Sequence, residues 1–61
     1  MQTDRIIEKA KKLGLDIGNS DSQLDNLRTI ASQVGLSEFN SMYDLNKLEN
    51  ILDQRLSEAR N

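Results

Sequence analysis

Apolar residues recur at helical spacing in three stretches of the chain. The first stretch contains Ile6, Ile7, Ala10 and Leu13. The second contains Leu24, Leu27, Ile30, Ala31 and Val34. The third contains Leu45, Leu48, Ile51, Leu52 and Leu56. Each set falls on one face of a helix, and no segment shows the two-residue period of a strand. The pattern therefore predicts an all-α fold with helices at about 4–13, 21–34 and 45–59.

Polar residues that favour helix starts precede each stretch. The predicted N-caps are Thr3, Ser20 and Asp44. Ser20 and Gln23 have the spacing of a capping box, in which each side chain bonds a free backbone N–H of the other residue. Tyr43 and Leu48 flank the start of the third helix at the spacing of a hydrophobic staple. The first turn of each helix is thus predicted from its own side chains.

Two of the three predicted helices end in the same short pattern. Gly14 and Gly35 are each followed by leucine, which is typical of a left-handed stop with an apolar contact behind it. The segments Ala10–Leu15 and Ala31–Leu36 match in pattern, and we attribute the match to shared helix-ending chemistry. Gly18 is the predicted pivot of the turn at 16–19.

These elements predict a single domain over residues 1–61, either a small antiparallel three-helix bundle or an orthogonal three-helix domain. Residues 37–42 form either a short extra helical turn capped by Ser37 or a loop that places Phe39 in the core. A core of this size is only marginally stable. Since cysteine and histidine are both absent, stability must come from helix packing or from association with a partner.

Charge and hydropathy indicate that the chain folds and where in the cell it is expected to be found. Charged residues make up 30% of the chain, and the net charge of −2 is too small for a disordered composition. The segment Met1–Lys12 carries +2 and the remainder −4, which we attribute to lysines near the end of the first helix. There is no secretory signal and no apolar run near the ~20 residues of a membrane span. We expect a cytoplasmic protein without membrane contact.

The sequence contains no recognisable catalytic apparatus. An activated nucleophile needs a base, and without histidine or cysteine no serine has an obvious partner. Two carboxylate pairs at spacing four are candidates for acid–base work, Asp21 with Asp25 and Glu49 with Asp53. We interpret both as solvated helix faces. No calcium-binding loop and no glycine-rich phosphate loop is present, so we predict no catalytic, metal or cofactor site and no enzyme activity.

The run Ser22-Gln23-Leu24-Asp25 resembles the Ser-Gln-x-Leu-Asp signature of small bacterial aspartyl-phosphate phosphatases that act on sporulation response regulators. In that family the signature lies on the second helix of a short hairpin. The run here is one residue shorter, and the chain has a third helix. The resemblance implies a regulator whose activity depends on Asp25, and it is the third of our functional hypotheses.

The stretch Ile30–Ser37 resembles the core of a helix-turn-helix motif, with Ala31 in the first helix, Gly35 at the turn and Ser37 as cap of a recognition helix. The resemblance implies a DNA-binding regulator. Binding to DNA depends mostly on cations that neutralise phosphates. No lysine or arginine lies between Arg28 and Lys47, so nucleic acid is the alternative rather than the expected partner.

We therefore predict a non-enzymatic protein-interaction module that regulates or inhibits a larger protein by docking on it. The candidate contact residues are Ile7, Ile51, Lys9, Lys11 and Lys12. The two isoleucines lie at the flanks of their stripes, where they either stay exposed or close the edges of the core. A homodimer through Leu45, Leu48 and Leu52 is a further possibility, because these leucines follow heptad spacing. A short chain with its own methionine suggests a bacterial or phage accessory protein.

Overall fold

The structure, a computed structural model, describes residues 1–59. It contains three α-helices: α1 (Gln2–Lys12), α2 (Gln23–Gln33) and α3 (Met42–Ala59). No strand occurs among these residues. The all-α, three-helix prediction is confirmed, and the helix bounds differ from the predicted ones by no more than three residues.

The starts of α1 and α2 differ from the predicted caps. Met1 is the N-cap of α1 and makes no side-chain cap bond, so the assignment of Thr3 was wrong. Ser22 caps α2, its Oγ accepting from the Asp25 N–H at 3.5 Å. Ser20 cannot begin this helix because its backbone is already paired with the Asn26 amide, by one bond in each direction at 3.0 Å.

Asp44 helps to begin α3 from inside the helix. Its carboxylate accepts the backbone N–H groups of Asn40 and of Ser41, the latter at 2.9 Å. The bond from Asn40 is the main reason that the pKa of Asp44 lies below its usual value. Asp44 is thus the third residue of the helix rather than its N-cap. Tyr43 is 79% exposed, so the predicted staple with Leu48 does not form.

The predicted helix stops are confirmed, and both have one geometry. At the end of α1 the Leu15 N–H donates to the Ala10 carbonyl at 3.0 Å, with Gly14 at φ 75° between them. At the end of α2 the Leu36 N–H donates to the Ala31 carbonyl at 2.9 Å, with Gly35 at φ 84°. Both helices therefore end in a left-handed C-cap of the same type, which explains why the two segments share a sequence pattern.

The core forms from the predicted helix faces and one loop side chain. Its buried members are Ile6, Ala10, Leu27, Ile30, Ala31, Val34, Phe39, Leu48 and Leu52. Among the described residues no polar or charged one is buried. Leu24 is the exception on its stripe, since 44% of it is exposed.

Residues 36–40 form a loop, so the extra helical turn is absent and the loop alternative is confirmed. Phe39 is only 5% exposed and joins the core from this loop. Phe39 therefore anchors the loop to the core, while Ser37, Glu38 and Asn40 stay exposed.

In an antiparallel three-helix bundle α2 would run opposite to α1 and α3. Here α2 runs in the same general direction as the other two helices. Gln2 contacts Asn46 at 2.7 Å and Lys9 contacts Asp53 at 2.6 Å, so α1 and α3 run the same way. The segment 13–22 returns along α2, because Asp16 bonds to Gln33 at the end of that helix and Ser20 bonds to Asn26 near its start. A return of this length easily spans a helix of roughly 16 Å. As a result, all three helices begin near one end of the molecule.

Candidate functional site

A polar cluster joins α1 to α3 around Glu49. This carboxylate accepts from Lys9 Nζ at 2.8 Å, from Arg5 Nε at 3.0 Å and from Gln2 Nε2 at 3.1 Å. Lys9 also contacts Asp53 Oδ1 at 2.6 Å. The Glu49 side chain is 13% exposed, whereas that of Arg5 is 58% exposed. The cluster fixes the register of two helices that run side by side.

The electrostatics of this cluster favour the charged forms. Hydrogen bonds from Arg5, then Lys9, then Gln2 lower the pKa of Glu49 to about 2. Bonds to Asp53 and then Glu49 raise the pKa of Lys9. A carboxylate held ionised in this way cannot act as a general acid near neutral pH. Glu49 and Asp53 therefore form an ion-pair network between helices. The other candidate pair lacks a shared helix face, because Asp21 precedes α2.

The five candidate contact residues have different surroundings in the structure. Ile7 and Ile51 are partly buried and packed against the core, so they close its edges. Lys9 is engaged with Glu49 and Asp53. Lys11 is exposed and lies 3.7 Å from Glu8, one turn away on the same helix. Lys12 is exposed and lies beside the last turns of α3. Lys9 and Lys12 thus share Asp53 as a neighbour, whereas the two isoleucines belong to the edge of the core.

A different feature has the form of a binding site. An open groove of about 360 Å³ lies where the three helices begin. Its walls are the first turns of the helices and the end of the loop before α3. The lining residues are Thr3, Gln23, Leu24, Leu27, Phe39, Asn40, Ser41, Met42 and Leu45. We call this feature the apolar groove, since most of the side-chain surface that it presents is hydrocarbon.

Two side chains of the apolar groove are open to solvent. Met42 is 69% exposed and Leu24 is 44% exposed. The sequence analysis missed both, because it placed Leu24 on the core stripe of α2 and left Met42 unassigned. The sequence held no clear signal for Met42, because Leu45 lies three residues further along α3, as it would for a buried side chain.

A second groove adjoins the first and shares Phe39 and Asn40 with it. Its other lining residues are Arg28, Ser32, Leu36, Ser37 and Glu38. Arg28 follows Leu24 by one turn of α2, and the carboxylate of Glu38 lies in the same groove. The loop that contains Phe39 therefore separates an apolar surface from a polar one of mixed charge.

The structure shows where the residues that carry the two sequence resemblances lie. Ser22 caps α2 and Asp25 lies in its exposed first turn, where its Oδ2 accepts from Ser20 Oγ at 3.5 Å. In the helix-turn-helix resemblance Ser37 was to cap a recognition helix, but the next helix begins at Met42. That assignment was wrong, because Phe39 enters the core from an extended segment.

The seam proposed for self-association is used inside the monomer. Leu48 and Leu52 are fully buried, and Leu45 is partly buried against the core. Their heptad spacing therefore reflects the contact of α3 with its own chain. A homodimer through these three leucines would require the core to open.

Within residues 1–59, no three histidine, cysteine or acidic side chains are grouped as a metal site would need. Over the same residues, no helix combines the length and apolar character needed to span a bilayer. No family model, no curated protein and no solved structure matches this chain.

Proposed function

We propose that this protein is a non-enzymatic interaction module that regulates a larger protein by docking on it through the apolar groove. The single observation that supports the proposal is the exposure of two large apolar side chains, Leu24 and Met42, in the lining of one groove. A small protein gains stability by burying such side chains, and their exposure at one place is typical of interaction surfaces.

The docking surface differs from the one that the sequence favoured. Ile7, Ile51 and Lys9 are occupied by packing or by ion pairs within the chain. Leu24 and Met42 offer exposed apolar side chains instead, and the nearly buried Leu27 and Phe39 also line the groove. The polar groups of Gln23, Asn40 and Ser41 along the same groove supply hydrogen bonds that orient a bound segment.

Affinity capture followed by mass spectrometry tests the proposal. The baits are the wild-type chain, the double variant Leu24→Gln/Met42→Gln, and Tyr43→Gln as the matched control. Tyr43 is 79% exposed and is not among the residues that line the groove, so its replacement also removes an exposed apolar side chain.

We expect a partner that the wild type and Tyr43→Gln retain and that the double variant loses. Circular dichroism of all three chains checks that the helices are intact. Retention of the same partner at the same level by the double variant would refute the assignment of the apolar groove.

A further inference from the structure

The apolar groove and the groove beside it form one elongated surface between two rows of residues. One row follows α2 through Leu24, Arg28 and Ser32, each one turn after the last. The other row is the loop before α3 with the first residue of that helix, residues 36–42. This loop leads from the end of α2 back to the end of the molecule where α3 begins, so the two rows run in opposite directions. We call the surface between them the long groove.

The two rows correspond at both ends of the long groove. Where the helices begin, Leu24 of the α2 row and Met42 of the loop row line the apolar groove together, and both are exposed. Further along α2, Arg28 and Glu38 line the adjoining groove together. One end of the long groove therefore has an apolar side chain on each side, and the other end has a cation on one side and an anion on the other.

The two opposite charges are not used inside the chain. Arg28 and Glu38 are both exposed. Although they line the same groove, neither forms an ion pair within residues 1–59. In contrast, Arg5, Lys9 and Glu49 are engaged between α1 and α3. The long groove thus keeps one charge of each sign open to a ligand that presents the opposite two.

A surface of this kind is complementary to itself. In a twofold-symmetric contact, a residue that meets a second residue across the interface is met by its own copy in return. When the symmetry axis runs along the long groove, the α2 row of one copy lies against the loop row of the other. Leu24 then faces Met42 of the second copy, and Arg28 faces Glu38 of the second copy. Each contact occurs twice.

We propose that a second copy of this chain occupies the long groove, with Leu24 packed on Met42 and Arg28 paired with Glu38 across the twofold axis. This face is separate from the seam of Leu45, Leu48 and Leu52, so the core stays closed. A core of this size is only marginally stable, and covering two exposed apolar side chains in each copy favours the folded state. The consequence for regulation rests on the proposed function: the apolar groove is open to a larger protein only when the two copies separate.

The apolar and charged contacts contribute differently to this dimer. Removal of Leu24 and Met42 from water supplies affinity. The Arg28–Glu38 pairs lie at a rim open to solvent, where charges mainly select the partner and its register. If the α2 rows of the two copies met instead, Arg28 would face Arg28. The charge pattern therefore favours one arrangement over its alternative.

Sedimentation equilibrium of the full chain from roughly 1 μM to 1 mM, the range of a weak interface, tests whether the dimer forms. We expect a monomer–dimer equilibrium for the wild type. Leu24→Gln/Met42→Gln is expected to weaken it at least about tenfold, since two apolar contacts are lost from each copy. Tyr43→Gln is the matched control and is expected to dimerise like the wild type, because Tyr43 is 79% exposed and does not line the groove. Circular dichroism checks that each variant is helical.

Charge reversal tests the arrangement. Arg28→Glu and Glu38→Arg are each expected to weaken self-association about tenfold, because like charges then face each other twice. An equimolar mixture of these two variants is expected to regain association, since every charge in the mixed dimer again faces its opposite. A fluorescent label on one variant reports the mixed species. Arg55→Glu is the control, because it makes the same change of charge at an exposed site outside the long groove.

The outcomes separate this inference from the proposed function. A wild-type chain that stays monomeric up to 1 mM would overturn the inference, as would a dimer that Leu24→Gln/Met42→Gln leaves unchanged. Failure of the mixed charge variants to associate would overturn the arrangement. None of these results bears on docking to a larger protein. That proposal depends on the capture experiment, in which a monomeric chain can still retain a partner that the Leu24/Met42 variant loses.

Discussion

The side-chain amide of Gln33 makes two hydrogen bonds with the backbone of Asp16, as the backbone of a neighbouring strand would. Its Nε2 donates to the Asp16 carbonyl at 2.6 Å, and its Oε1 accepts from the Asp16 N–H at 2.9 Å. Asn26 makes the same reciprocal pair with Ser20, one turn from the start of α2. Two side-chain amides on one helix therefore hold the returning segment between α1 and α2 along its length.

Replacing Gln33 with alanine should release one end of this segment. We expect faster hydrogen exchange at the Asp16 N–H and a loss of about 1 kcal/mol in the free energy of unfolding, the usual net value of such bonds. Exchange followed by NMR and a urea titration measure the two effects. Gln54→Ala is the control, because Gln54 is exposed on α3 and its side chain makes no hydrogen bond within residues 1–59. Equal exchange at Asp16 in both variants would contradict the role of Gln33.

Alanine at Gly18 should destabilise the chain more than alanine at Gly14. Both glycines have positive φ, 71° and 75°, which costs an L residue about 1–2 kcal/mol. A Cβ at Gly18 would also lie 2.7 Å from Asn26 Oδ1, whereas a Cβ at Gly14 meets nothing within 4 Å. We expect Gly18→Ala to lose about 1 kcal/mol more in urea unfolding. Equal losses would show that the Asn26 side chain moves away freely.

Phe39 and Tyr43 offer a direct comparison of buried and exposed aromatic rings. Phe39→Ala removes a core side chain and should cost about 3–5 kcal/mol, which approaches the whole stability of a domain this small. Tyr43→Ala should change stability by less than about 0.5 kcal/mol. Thermal unfolding followed by circular dichroism measures both. A Phe39→Ala chain that unfolds cooperatively near the wild-type temperature would contradict the packing of the loop.

Replacing Glu49 with glutamine should weaken the contact between α1 and α3. The amide keeps one acceptor but loses the charge that Lys9 and Arg5 contact, and we expect a loss of about 1 kcal/mol in the free energy of unfolding, because part of the network is exposed. Glu58→Gln on the same helix is the control, since Glu58 is exposed and forms no ion pair within the described residues. Similar losses in the two variants would show that helix charge, rather than the ion-pair cluster, sets the effect.

The pH dependence of stability should follow from the same carboxylate. The pKa of Glu49 falls from 4.5 to about 2 on folding, so the folded chain binds fewer protons than the unfolded chain between these values. The contribution of Glu49 is complete above about pH 4.5 and is lost as the pH falls toward 2. Urea titrations of the wild type and Glu49→Gln should therefore differ at pH 6 and converge near pH 2. A difference that stays constant would contradict the lowered pKa.

The sequence was sufficient to predict the structural features that depend on local residue pattern. The apolar period located α1 to α3, and the Gly-Leu endings located two C-caps to the residue. The N-caps were predicted less well, because several serines and aspartates near each start compete, and tertiary bonds such as that from Ser20 to Asn26 decide between them. Helix direction was beyond reach, since it depends on side chains far apart in sequence, as Gln2 and Asn46 are.

The same limit applies to the candidate site. The pattern put Ile7 at the flank of its stripe and Leu24 on a core stripe, whereas in the structure Ile7 packs against the core and 44% of Leu24 is exposed. Whether such a residue is buried depends on which elements pack against it. Leu24 lies where all three helices begin, so no neighbouring element packs over it completely. Lys9 was a candidate for partner contact because it is charged and near a helix end. Only the packing of α3 against α1 shows that Lys9 is already paired with Glu49 and Asp53.

The common direction of α1 and α3 has a practical consequence for any fusion protein. Met1 is the N-cap of α1 and lies two residues before Thr3 in the groove wall, whereas Ala59 ends an 18-residue helix and lies roughly 25 Å from the start of that helix. A tag or reporter joined ahead of Met1 would emerge beside the opening and crowd it. Ala59 lies at the opposite end of α3, so a surface attachment made on that side of the molecule keeps the opening accessible.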